Sequence, residues 1–157
     1  MHTVIIYLSK YISRRVKRLA SLPSLLKEIN LSVTKQEKLG HQHIGFDKIK
    51  HKLFLVKKRG NRLVCWIVNL QDLQWCAVKK VYGAIGAGEL KTRNLNHFLQ
   101  SVSLQLKFRG SAKPVSVTFF ESQHNTADEL PVLEAAAKRW EHVLSQLPPN
   151  VLPSFTT

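Results

Sequence analysis

Acidic side chains are scarce in this chain of 157 residues, which holds 10 Asp and Glu against 24 Lys and Arg, a formal net charge of +14. Such an excess of positive charge favours anionic partners: phospholipid headgroups, nucleic acid or acidic proteins. The excess is uneven, because residues 101–157 carry five basic and five acidic residues. An anion-binding surface is therefore expected in the first two thirds of the chain.

Cysteine is also rare. Cys65 and Cys76 both lie in apolar runs, where they are expected to be small core residues. Two buried thiols in a basic chain without a secretory signal indicate a reducing compartment. His41 and His43 form an H-x-H pair, but a zinc site needs four ligands at recognisable spacing. The sequence therefore predicts neither a metal nor a cofactor.

Motifs of catalysis are absent as well. The chain has no G-x-S-x-G, no H-E-x-x-H and no carboxylate pair at useful spacing. Gly83, Gly86 and Gly88 follow G-x-x-G-x-G without a following G-K-[ST], which favours a flexible connection over a phosphate loop. Asp47 and Asp72 are expected to be turn and cap residues. We expect a protein that is not an enzyme.

An apolar run of the ~20 residues that a spanning helix requires is missing, because Lys10 interrupts the run that begins at Val4. Residues 1–30 are predicted to form a basic amphipathic helix in a membrane interface. Alternatives are the cytoplasmic end of a span that begins before residue 1, and a helix packed on the domain. The apolar face of this helix holds Val4, Ile5, Leu8, Ile12, Val16 and Leu19. The residues expected to contact the membrane are Arg14, Arg15, Lys17 and Arg18.

Residues 31–43 are polar and are predicted to be a linker, and residues 148–157 are predicted to be a tail. The domain between them, 44–147, holds five β-prone runs, which lie at 53–56, 63–68, 75–82, 102–108 and 115–120. A helix is predicted to close it, with Pro131 near its start and apolar residues at helical spacing. Trp66, Trp75 and Trp140 fall in apolar positions and are expected in the core.

A basic hairpin joins the first two runs. Gly60 and Asn61 supply the positive φ of a tight turn. The cations at its tip, predicted to bind anions, are Lys57, Lys58, Arg59 and Arg62. Lys48, Lys50 and Lys52 alternate just before it and would share one face of an extended segment.

The order of strands, basic hairpin and closing helix resembles the pleckstrin-homology-like superfold. The residues that carry the resemblance are Ile67-Val68-Asn69-Leu70-Gln71-Asp72-Leu73 and Ala136-Ala137-Lys138-Arg139-Trp140. It implies an α+β fold, a bent antiparallel sheet or partly open barrel capped by one C-terminal helix, as in uncharacterised bacterial membrane-anchored proteins with such a soluble region. Phosphoinositide-binding members also place an Arg inside the second strand, where Leu63 and Val64 stand here, which favours a diffuse anion patch.

These features together predict a non-enzymatic adaptor or scaffold at the cytoplasmic face of a membrane. It would bind the anionic membrane surface or an acidic protein partner. The alternative is a nucleic-acid-binding protein that uses the basic first two thirds of the chain. Base stacking needs exposed aromatic residues beside the cations, so tryptophans in the core would favour the membrane.

Overall fold

The computed structural model describes residues 12–18, 23, 26–27, 30–40 and 42–147, and of residues 12–18 and Arg59 it describes the backbone only. These residues divide into two compact units, one within Ile6–Asp72 and one that begins at Leu73. Within the described residues the protein is α+β, with two antiparallel sheets followed by a C-terminal helix. The predicted fold class is thereby confirmed at this level.

The first unit is a five-stranded sheet in the order β1-β5-β4-β3-β2. Its strands are β1 (Ile12–Arg18), β2 (Lys35–Leu39), β3 (Gln42–Asp47), β4 (Lys52–Arg59) and β5 (Arg62–Asn69). All neighbours pair antiparallel, so two tight hairpins, β2–β3 and β4–β5, turn at the same end of the sheet.

Strand β1 corrects the predicted N-terminal helix over residues 12–18. This segment pairs with β5 from Ile12 opposite Val68 to Arg18 opposite Arg62. Ile12 and Val16 are four residues apart, a spacing that suits one face of a helix and one face of a strand alike. The pairing partner, distant in sequence, decides between them. The remaining residues of the prediction, 1–11 and most of 19–29, lie outside the described residues.

The predicted linker over residues 31–43 instead contains β2 and the start of β3. Strand β2 lies at the edge of the sheet, and Lys35, Gln36 and Lys38 are exposed there. Charged side chains on an edge strand prevent pairing with other chains. An edge strand of this kind lacks the apolar alternation by which sequence patterns reveal a strand, and only its last residue, Leu39, is buried.

One face of the first sheet is covered by the segment that precedes β2. Leu26 and Leu31 pack with Phe54, Val56 and Cys65 into a buried cluster. The ring of Phe54 lies over Gly45, its partner on β3, and a Cβ at Gly45 would stand 2.0 Å from Phe54 Cζ. Only glycine leaves room for the ring in this arrangement.

The turn between β3 and β4 is organised by Asp47, which is completely buried. Its Oδ1 accepts hydrogen bonds from the backbone N–H groups of Ile49 and Lys50, both at 3.0 Å. Its Oδ2 accepts one from the N–H of Ser32 at 2.9 Å. The predicted turn role of Asp47 is confirmed, and the carboxylate also ties this turn to the segment that covers the sheet.

The second unit is a three-stranded sheet in the order β6-β7-β8, followed by helix α1. Its elements are β6 (Leu73–Tyr82), 3-10 helices at Glu89–Lys91 and Leu95–Phe98, β7 (Leu99–Phe108), β8 (Val115–Glu121), a 3-10 helix at Ala127–Glu129 and α1 (Leu130–Ser145). The helix packs on all three strands.

Helix α1 forms where its apolar spacing predicts it. Pro131 lies in its first turn. The 3-10 helix just before it begins with a capping box, in which the Glu129 carboxylate accepts a hydrogen bond from the N–H of Thr126 at 2.7 Å. Ala136, Ala137 and Trp140 are fully buried against the sheet. The predicted tail, 148–157, lies outside the described residues.

Candidate anion-binding site

The tip of the β4–β5 hairpin is a two-residue turn between Arg59 and Arg62, which are register partners. Gly60 adopts φ 61°, in the left-handed region that glycine enters without strain, whereas Asn61, for which a positive φ was also predicted, does not adopt one. Lys58 and Arg62 are exposed, and Lys57 is half-buried. The sequence therefore correctly predicted the hairpin and the position of its cations.

Strand β1 brings the second predicted group of cations to this hairpin. Arg18 lies opposite Arg62, which lies opposite Arg59, so three arginines occupy one row across three adjacent strands. Paired Cα atoms are about 5 Å apart across neighbouring strands. Lys17 falls in the next row with Lys58, through Leu63. The two groups, at least 39 residues apart in sequence, are neighbours in the fold.

Two more rows complete this end of the sheet, which we call the hairpin end. The third contains Lys57, and the fourth runs from Arg15 through Cys65, Val56 and His43 to Lys38. The cations of the hairpin end are Arg15, Lys17, Arg18, Lys38, Lys57, Lys58, Arg59 and Arg62. None of the described residues in these four rows is acidic. Arg14 lies one row further, where Glu37 also lies.

Like charges at this density repel one another, so the cluster opposes folding unless an anion screens it. In the fourth row, burial, and next the charge of Lys38, lower the pKa of the His43 imidazole below its usual value. The lowered pKa favours the uncharged ring, which adds no positive charge to the hairpin end.

Lys38 is the cation that sequence reasoning missed, because the segment that contains it was interpreted as a linker. Lys48 and Lys50 lie in the β3–β4 turn, at the opposite end of the sheet, and therefore do not share a strand face with Lys52. The Lys50 ammonium donates a hydrogen bond to the backbone oxygen of Asn30. Lys48 and Lys50 are thus separate from the hairpin end.

The tryptophan prediction is correct for two of three residues. Trp66 and Trp140 are buried, but 49% of Trp75 is exposed. Trp75 stands on β6, an edge strand of its sheet, opposite Lys107 on β7. The sequence did not reveal the exposure of Trp75, because an apolar run looks the same whether its strand lies inside a sheet or at the edge.

Cys65 is completely buried, as predicted, and Cys76 is only half-buried. The Cys76 sulfur lies 3.3 Å from Ser145 Oγ and 3.4 Å from the backbone oxygen of Glu141. Among the described residues no group of three His, Cys, Asp or Glu side chains is placed to hold a metal ion. His41 lies outside them.

The glycine-containing segment after β6 closes on itself. The N–H of Gly86 donates to the Glu89 carboxylate at 2.6 Å. A phosphate loop would turn such N–H groups toward a ligand instead. Gly83, Gly86 and Gly88 therefore belong to a connection, as predicted.

Comparison with known proteins returned no match to any family profile, any curated protein or any solved structure. In the described part of the chain, none of the helices has the length and apolar character needed to cross a membrane.

Proposed function

We propose that the protein is a non-enzymatic adaptor or scaffold module that binds an anionic membrane surface at the cytoplasmic face through the hairpin end. The observation that carries the proposal is the pairing of β1 with β5, which joins seven of the eight predicted cations and Lys38 into four adjacent rows. The unit that contains them, Ile6–Asp72, has 15 Lys and Arg against four Asp and Glu.

A membrane suits this charge pattern because its phosphates form an extended layer. Each Lys or Arg near such a layer contributes about 1 kcal/mol, so several must act together. The hairpin end offers several within a few rows. The proposal no longer depends on an amphipathic N-terminal helix, since residues 12–18 form a strand.

The resemblance to the pleckstrin-homology-like superfold belongs to the same proposal. The order of antiparallel strands followed by one closing helix supports it. Burial of Trp140 on that helix also agrees with the resemblance.

Vesicle co-sedimentation tests the proposal. The full chain is expected to bind vesicles that contain phosphatidylserine and to leave pure phosphatidylcholine vesicles unbound. Neutralising two exposed cations, Lys58→Gln with Arg62→Gln, should weaken binding about tenfold or more. The matched control, Lys48→Gln with Lys79→Gln, removes the same charge outside the hairpin end and should change binding much less. Equal binding to both kinds of vesicle, or equal loss in both variants, would refute the proposal.

Nucleic acid is the second candidate, and the exposure of Trp75 is the observation that favours it. An indole beside cations can stack on a base, and Lys107 lies opposite Trp75 while Lys79 follows four residues along the same strand. Because the other two tryptophans are buried, quenching of fluorescence by oligo(dT) would report mainly on Trp75. Quenching that disappears at high salt and in Trp75→Phe would support this candidate.

A further inference from the structure

The connection between β6 and β7, residues 83–98, presents aliphatic side chains to solvent. Ile85 is 38% exposed, Leu90 55% and Leu95 46%. Single exposed aliphatic residues are common on protein surfaces, but three within 11 residues of one loop are a group that needs an explanation.

The backbone of this loop satisfies many of its own hydrogen bonds. The N–H of Gly83 donates to the oxygen of Phe98 at 2.7 Å and closes the base. The two 3-10 turns hold further bonds, such as that from the N–H of Arg93 to the oxygen of Glu89 at 3.0 Å. The Asn94 side chain accepts from the N–H of His97 at 3.2 Å. A segment that enters an apolar medium must pair its backbone groups internally, because unpaired ones are costly there.

The charges of the loop complete the pattern. Its carboxylate, Glu89, is occupied by the N–H of Gly86, while Lys91 and Arg93 are exposed beside the leucines. Arg93 also contacts the ring of His97, with Nη1 3.0 Å from Nε2. Aliphatic tips flanked by cations suit the boundary between acyl chains and anionic headgroups.

We infer that residues 83–98 form a membrane-inserting loop, in which Ile85, Leu90 and Leu95 enter the acyl region of an anionic bilayer and Lys91 and Arg93 stay among the headgroups. The inference rests on the proposed membrane function and extends it, because it assigns a hydrophobic anchor to the second unit. Two kinds of contact then hold the protein: charge at the hairpin end and aliphatic side chains here.

The first test uses a double variant that carries both Leu90→Ser and Leu95→Ser. Its control is Val132→Ser, which removes an aliphatic side chain that is 63% exposed on helix α1. On phosphatidylserine vesicles the double variant should bind at least about tenfold more weakly than the wild type, and the control should bind like the wild type. The double variant should still elute with the wild type from a heparin column, since its charge is unchanged.

A second test locates the loop directly. The environment-sensitive dye NBD is attached at Leu90→Cys in a Cys76→Ser background, and its emission should shift to the blue on anionic vesicles and be quenched by lipids that carry a spin label in the acyl chain. The same dye at Gln123→Cys, an exposed loop position, should show neither effect.

The outcomes are distinguishable. If the wild type does not bind anionic vesicles, the proposed function and this inference both fail. If it binds while the double variant binds equally well, or if the dye at position 90 stays in water, only the inference fails. A wild-type dimer that the double variant no longer forms would assign the loop to self-association and would also overturn it.

Discussion

At the residue scale, Asp47 shows how a single carboxylate can organise a corner of the fold. Its two side-chain oxygens accept three backbone hydrogen bonds, from Ser32, Ile49 and Lys50. Because the side chain is fully buried, water cannot replace it when it is removed.

Replacing Asp47 should therefore reduce stability in a graded way. Asp47→Ala leaves three donors without an acceptor and should lower the free energy of unfolding by about 3 kcal/mol. Asp47→Asn keeps one carbonyl oxygen, which can still accept from Ile49 and Lys50, and should lose about half as much. Urea denaturation measures both values, and a variant pair of equal stability would contradict the assigned role.

The two thiols make a second prediction at this scale. Desolvation raises the pKa of the Cys65 thiol to about 12, and burial also raises that of Cys76, which is more accessible. Alkylation requires the thiolate, so iodoacetamide should modify Cys76 at least about tenfold faster than Cys65 in the folded protein. Peptide mass spectrometry gives the two rates, and the difference should vanish in denaturant. Faster modification of Cys65 in the native state would mean that its burial is wrong.

At the scale of elements, helix α1 is tied to the edge strand β6 by side chains as well as by packing. The Glu134 carboxylate accepts from Lys80 on β6 and from Lys138, 3.3 Å away on the helix. The Glu141 carboxylate accepts from the backbone N–H of Val78. These contacts cover part of an edge that would otherwise be open to pairing with another chain.

Glu134 makes this contact pH-dependent. Hydrogen bonding from Lys80, outweighing partial desolvation, lowers the pKa of Glu134 in the folded state. Its contribution is therefore complete above the ordinary pKa of Glu, about 4.3, and is lost as pH falls through the lowered value. Glu134→Gln should lose less than about 1 kcal/mol at neutral pH, since the pair is partly exposed, and should lose stability less steeply in acid. Urea titrations across this range test the slope, and an unchanged slope in Glu134→Gln would contradict the assigned role of the pair.

At the scale of the whole molecule, the charge is concentrated in the first unit. Ile6–Asp72 carries 11 of the 14 net positive charges, and the unit that begins at Leu73 has nine basic and six acidic residues. Crowding of like charge destabilises the folded state, and salt relieves it.

The protein should therefore become more stable as salt is added. The Debye length falls from about 30 Å at 0.01 M to about 3 Å at 1 M ionic strength, which screens the hairpin end. The midpoint of urea denaturation should rise with sodium chloride. In the double variant Lys58→Gln with Arg62→Gln, the midpoint should be higher at low salt and should rise less as salt is added. A midpoint that is independent of salt would show that the cations do not interact as a cluster.

How much the sequence revealed depended on how local each signal was. The β4–β5 hairpin and helix α1 are set by neighbouring residues, Gly60 at the turn and the apolar spacing through Trp140, and both were predicted. The need for glycine at position 45 could not be predicted, because the ring that lies over it, Phe54, belongs to the next strand. Strand β2 was missed because its edge position leaves only Leu39 buried.

By itself the sequence determined the charge excess, the α+β class and the cations of the β4–β5 tip, since composition and short-range pattern are sufficient for these. Only the tertiary structure decided that residues 12–18 are a strand, that Arg18, Arg62 and Arg59 share a row, and that Trp75 faces solvent. The reason is physical: strand partners and sheet edges are set by contacts between distant segments, and a pattern along one segment does not contain its partner.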